Sequence, residues 1–114
     1  MPASYLVVLS STTLSDGDVM DPATALDLAR YRTLDLVVRV EEAGSGDAPK
    51  LVVEHSASNA ADTWLGFTEP VEVDLTATGI AWSRQEAFTR WVGWRIRGTL
   101  SASAVVTLEI VARE

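Results

Sequence analysis

Alternation of apolar and polar residues constrains this 114-residue chain more than any other feature. In Leu34-Asp35-Leu36-Val37-Val38-Arg39-Val40-Glu41, positions 34, 36, 38 and 40 are apolar, while Asp35, Arg39 and Glu41 fall on the opposite face. A period of two belongs to a β-strand, because successive side chains leave the pleat on opposite sides. The same period returns in Leu51-Val53-His55, in Val71-Val73-Leu75 and in Val106-Leu108-Ile110-Ala112. The second of these has Glu72, Asp74 and Thr76 on its other side, as expected where one face of an antiparallel sheet meets water.

Turn chemistry separates these runs. Ala43-Gly44-Ser45-Gly46-Asp47-Ala48-Pro49 reads as a flexible hairpin loop, Ser56 to Asp62 is small and polar, and Ala77-Thr78-Gly79 closes the strand before it. Gly98-Thr99-Leu100-Ser101 reads as the link to the last strand. The pattern predicts seven or eight strands, at about 4–10, 25–28, 32–42, 50–56, 63–67, 71–76, 90–98 and 104–112. The strand spacing of roughly 8–12 residues is that of a sandwich or barrel. Two stretches are ambiguous. Asp21 and Pro22 could cap and open a short helix, although Ala25-Leu26-Asp27-Leu28 favours a strand. Ile80 to Phe88 reads as an irregular loop carrying Trp82, with room for a helical turn. The expected fold is all-β, a single antiparallel β-sandwich in one domain. Residues 1–30 are read as an N-terminal strand or docking arm, and 31–114 as the sandwich core.

Charge and composition narrow the function. The net charge of −7 disfavours nucleic acid, which needs a basic patch. Residues 1–74 hold thirteen acids and four basic residues, whereas 75–114 hold three acids and five arginines, an asymmetry that suits head-to-tail contact or a merely solvated surface. With no cysteine there is no disulfide framework and no thiolate chemistry. No apolar run has the length of a membrane span, and Tyr5–Leu9 is too short and lacks the preceding basic residue of a secretory leader. A soluble chain without a membrane partner is expected.

The residues that could carry catalysis are sparse. His55 is the only histidine and lies within strand alternation. No nucleophile elbow or glycine-rich oxyanion turn accompanies it, so a hydrolase is disfavoured. Asp16, Asp18 and Asp21 cluster around Gly17 without the distal glutamate of a calcium loop, and read as an exposed acidic turn. Glu69 with Glu72 does not set a glycosidase apart from an acidic surface. No catalytic residue, metal site or cofactor is expected.

The tryptophans say more. In Arg90-Trp91-Val92-Gly93-Trp94-Arg95-Ile96-Arg97, the phase of Val92, Trp94 and Ile96 fits a core. That leaves Trp91 on an outer face with Gly93, Arg95 and Arg97. Tryptophan and arginine are the residue types that most often anchor interfaces. Trp91, Arg95, Arg97 and Trp82 are therefore the interface candidates. Two other readings stand beside this one: arginine stems packed over the indole, and a platform of Trp64, Trp82 or Trp91 that stacks on a glycan.

From Tyr31 onward the order of features resembles small jelly-roll-like β-sandwich proteins of tailed bacteriophages and prophages. The matching elements are Arg32–Val40, Pro49–Ser56 with a serine loop leading to Trp64, Phe88–Arg95 followed by Gly98-Thr99-Leu100, and a final strand that reaches almost to Glu114. The same order is similar, more weakly, to discoidin-type jelly rolls. The resemblance implies a non-enzymatic virion protein, made in a host cytoplasm, that decorates capsids or serves as an auxiliary head or tail component. Its implied partners are capsid or tail subunits and copies of itself. A carbohydrate-binding module is the alternative.

Overall fold

The computed structural model describes residues 3–21, 24–60 and 62–114. Eight strands follow in chain order: β1 (Ala3–Leu14), β2 (Leu26–Asp27), β3 (Thr33–Glu42), β4 (Ser45–Ser56), β5 (Leu65–Asp74), β6 (Gly79–Gln85), β7 (Trp91–Ala102) and β8 (Ala104–Arg113). They form two four-stranded antiparallel sheets, ordered β1-β8-β3-β6 and β2-β7-β4-β5. The first strand pairs with the eighth, the second with the seventh, the third with the sixth and the fourth with the fifth. The chain is thus one long hairpin rolled up, an eight-stranded jelly roll of two facing sheets. That architecture is shared by viral capsid and lectin domains and does not itself assign a function.

The core is the layer that the alternation announces. Leu34, Leu36, Val38 and Val40 of β3 lie beside Val106, Leu108, Ile110 and Ala112 of β8, and all eight are at most 2 % exposed. Leu51 and Val53 of β4, Val71 and Phe67 of β5, and Val92 and Ile96 of β7 close over them from the other sheet. Trp94 packs on this layer from its margin and stays half-buried, so it follows the expected core phase without being sealed. The N-terminal residues supply two of the strands. β1 forms an edge of the first sheet with Ala3 opposite Arg113, and Leu9 and Leu14 reach the core.

Four local expectations are corrected. Ala43–Pro49 is not a hairpin loop, because β3 and β4 lie in different sheets and Ala43-Gly44 carries the chain across. Ser45, Gly46 and Asp47 already pair with β7, in a register broken by bulges that include Ala48 (φ 47°) and Gly98 (φ 76°). Gly98 therefore lies within β7 rather than in a link; a Cβ there would collide with the carbonyl of Ala48. The two strands expected at 63–67 and 71–76 are replaced by one irregular strand, β5 (Leu65–Asp74), with Pro70 in its disturbed middle. Ile80 to Gln85 is strand β6 and not a loop. Its inward residues are Ala81, Ser83 and Gln85, and its outward ones are Ile80, Trp82 and Arg84, which inverts the usual polarity and hides the strand from pattern reading. Gln85 satisfies its buried amide by donating to the Glu69 carbonyl (3.1 Å) and to Ser83 Oγ (2.7 Å). The short strand expected near 25–28 is present as β2, whereas the first helical position considered for Pro22 falls outside the described residues.

Leu36 is sealed between the sheets, so Leu36→Ala is expected to cost about 2–5 kcal/mol, read as a fall in the urea midpoint. Trp82→Ala, at a side chain 63 % exposed, is expected to change it by only about 0.5 kcal/mol or less.

Candidate functional site

Two outer faces remain once the core is closed, and they differ in character. On the first sheet the registers form a grid. One row runs Arg84–Asp35–Val111–Tyr5 and the next Trp82–Val37–Glu109–Val7, each read from β6 through β3 and β8 to β1. Ile80 and Arg39 lead a third row that continues to Thr107. Of the six large apolar side chains exposed among the described residues, four sit on this face: Tyr5 (61 %), Val7 (49 %), Ile80 (64 %) and Trp82 (63 %). Val37 and Val111 lie half-buried between them.

The polar groups on this face are engaged with one another. Asp35, 7 % exposed, accepts from Arg84 Nε at 2.7 Å and Nη2 at 3.2 Å, and also from Arg113 Nη1. The Arg84 guanidinium holds the Asp35 carboxyl below its ordinary pKa, helped by Arg113 and opposed by burial. The Ser11 N–H donates to Thr107 Oγ1 (3.0 Å), whose hydroxyl donates to Glu41 Oε1 (3.0 Å). Hydrogen bonds from Ser11 and then Thr107 lower the Glu41 pKa. The Tyr5 phenol bonds to Glu109, which raises its pKa. The charges on this face are Arg39, Arg84 and Arg113 against Asp35, Glu41, Glu42 and Glu109, three positive and four negative. The face thus carries a net −1 of the chain's −7.

The second sheet carries three of the expected interface residues. Trp91 is half-buried, with the Arg90 guanidinium 5.1 Å from its ring centroid. Arg90 is in turn held by Asp27, through Nε at 3.0 Å and Nη2 at 2.7 Å, so the arginine over this indole is Arg90 rather than Arg95 or Arg97. That hydrogen bond lowers the Asp27 pKa. Arg95 and Arg97 instead converge on Glu54, with Arg95 Nε 3.0 Å from Oε1 and Arg97 Nη2 3.5 Å from Oε2. Alternation alone would put Val52, Glu54 and Ser56 in water, yet all three are buried, at 5 %, 3 % and 0 %. Trp64 and Met20 fold over this part of the sheet, and Gly93 makes room for them: a Cβ at 93 would lie 2.5 Å from Met20 Cε and 3.1 Å from the Trp64 ring. Trp82 belongs to the other sheet, so the structure separates it from Trp91, Arg95 and Arg97.

The remaining candidates serve the scaffold. Thr89 N–H lies 3.2 Å from His55 Nδ1, and Thr89 Oγ1 lies 3.0 Å from the same nitrogen. The His55 ring packs on Phe67 at 4.8 Å. Asp16 Oδ1 accepts from Leu100 N–H and Asp18 Oδ2 from Ser15 N–H, each at 2.8 Å, so both carboxylates fasten a turn. Among the described residues no group of three or more His, Cys, Asp or Glu could hold a metal, and no helix is long and apolar enough to cross a membrane.

No known protein family and no curated protein matches this sequence. One solved structure is similar in overall course, at 12 % identity and a TM-score of 0.49, over 98 % of this chain and 82 % of the other. That structure is of a protein of Bacillus endospore appendages, a family of disulfide-linked pili.

Asp35 has a depressed folded pKa, so its stabilising effect is present above its unfolded pKa of about 3.9 and is lost as pH falls through the folded value. Asp35→Asn is expected to cost about 1–2 kcal/mol at pH 7, since both arginine partners are about half exposed. Urea midpoints of wild type and variant, measured from neutral pH downward, should converge once the pH has fallen below the depressed folded value of Asp35.

Proposed function

We propose that this chain is a non-enzymatic structural subunit that associates with copies of itself through the outer face of the β1-β8-β3-β6 sheet. The near-balance of charge on that face carries the reading. Two molecules of net charge −7 repel on average, but a contact formed here joins two surfaces with three positive and four negative groups each. The same face concentrates four exposed apolar side chains, with Trp82 as the residue type most enriched in energetic anchors.

The strand edges favour contact through the face over open-ended strand addition. β1 is interrupted by register shifts after Val7 and after Leu9, β2 has only two residues, and β5 contains Pro70. Each feature blunts an edge against pairing with a neighbour. Among the described residues only β6 is left with a regular free edge, and it carries Ile80 and Trp82.

The finer reading is a virion protein, a capsid decoration or auxiliary head or tail component made in the host cytoplasm. The jelly-roll architecture is compatible with that role and does not demand it. Trp91 and Arg97, half-buried and exposed on the second sheet, offer a separate surface for capsid or tail subunits, with Arg95 beside them. Genes for capsid, portal or tail proteins next to its own would support this assignment, and an unrelated neighbourhood would count against it.

Sedimentation velocity from about 1 to 100 µM tests the self-association. The wild-type chain is expected to form a dimer or larger species. The double variant Val7→Glu/Trp82→Glu is expected to weaken it by about thirtyfold or more while keeping the β-rich far-ultraviolet spectrum. A wild type that stays monomeric throughout, or a well-folded variant that assembles equally well, would sink the proposal.

A further inference from the structure

On the second sheet, away from the proposed assembly face, a recess of about 280 Å³ opens over Gly93. Val19, Met20, Glu54, Trp64 and Arg95 line it with that glycine. Its size is just below the ~300–1,000 Å³ typical of small-molecule pockets, suited to a ligand of one ring. The Trp64 ring and Met20 lie against the sheet at Gly93, and Val19, 64 % exposed, marks a rim open to solvent.

The polar groups at this site are unusual for a surface strand. Glu54 is 3 % exposed, and neither its Oε2 nor Arg95 Nε has a hydrogen-bond partner among the described residues. The two guanidiniums stand close enough to balance the carboxylate, but Arg95 Nε is not aligned to donate to it. A buried charged oxygen without a hydrogen bond is costly, and such atoms are rare in folded proteins. Glu54 thus leaves acceptor capacity beside an aromatic wall, and Arg95 leaves donor capacity.

Charge decides which ligand fits. One carboxylate with two guanidiniums leaves the cluster at a net +1, which repels a cation. An anion would meet the electron-rich indole face and the buried carboxylate. A neutral molecule with hydroxyls avoids both conflicts, because each hydroxyl can donate to a carboxylate and accept from a guanidinium. If it also has an apolar C–H face, it can lie on Trp64.

We propose that this recess binds a neutral sugar, one pyranose ring resting on Trp64 and Met20 with a hydroxyl directed between Glu54 and Arg95. Glu54 Oε2 and Arg95 Nε are closed to solvent in this structure, so binding requires both side chains to turn toward the recess. The site is independent of the assembly face, so either proposal can fail alone.

The four indole N–H signals of the ¹⁵N-labelled protein provide the test, titrated with glucose, galactose, mannose and N-acetylglucosamine to on the order of 50 mM. At least one sugar is expected to shift the Trp64 signal saturably while the Trp82 signal stays in place. Glu54→Gln, checked for a native amide spectrum, should weaken that sugar by about tenfold. The proposal is overturned if no sugar in the panel moves Trp64, or if Trp82 moves equally. Unchanged affinity in a folded Glu54→Gln, or a stronger response of Trp64 to tetramethylammonium than to any sugar, would also overturn it.

Discussion

The apolar layer shared by β3 and β8 is the constraint on which the rest of this molecule depends. Leu34, Leu36, Val38 and Val40 stand in register with Ala112, Ile110, Leu108 and Val106, and these two strands form the middle of their sheet. Slipping either strand by one residue would turn its whole inward set to the outer face. The register that buries these eight residues also fixes the outer grid. It sets Asp35 opposite Arg84, Val37 opposite Trp82 and Glu109 opposite Val7. The surface chemistry of the first sheet is therefore a consequence of its core packing.

The two sheets resolve their outer faces differently. The first is left open, its polar groups engaged across strands, Asp35 with Arg84 and Glu41 with Thr107. The second is partly roofed by Trp64 and Met20, which rest where Gly93 omits a side chain. Roofing buries Glu54, and the carboxylate stays tolerable because Arg95 and Arg97 bring opposite charge from the neighbouring strand. Removing either arginine would leave the carboxylate less balanced in a water-poor setting.

Much of the fold was legible in the sequence, because alternation reports burial directly wherever one face is wet. That held for β3, for Val71–Leu75 and for β8. It failed at β6, where small and polar residues face inward and Ile80 and Trp82 face outward, so the pattern carries the wrong sign. It also failed at Ala43–Pro49, where glycines mark a passage between sheets and bulges instead of a hairpin. Of the interface candidates, the outward phase of Trp91, Arg95 and Arg97 followed from spacing, and Trp82 is exposed. Tyr5, Val7 and Ile80 were missed, since nothing local tells an outward apolar residue from an inward one without the partner strands. Glu54 was missed for a related reason: what buries it is Trp64, ten residues further along, and Met20 near the start of the chain.

The position of β8 between β1 and β3 bears on how the chain acquires its shape. Until residues 104–113 have been synthesised, the first sheet lacks a strand from its interior, and β1 has no neighbour to bond. The sheet cannot then grow outward from one hairpin, and its closure waits on a contact between segments about as far apart in sequence as the chain allows. Folding should be slow for a domain of this size, with the apolar sides of β1 and β3 transiently uncovered, and crowding between nascent copies is the hazard that such a delay creates.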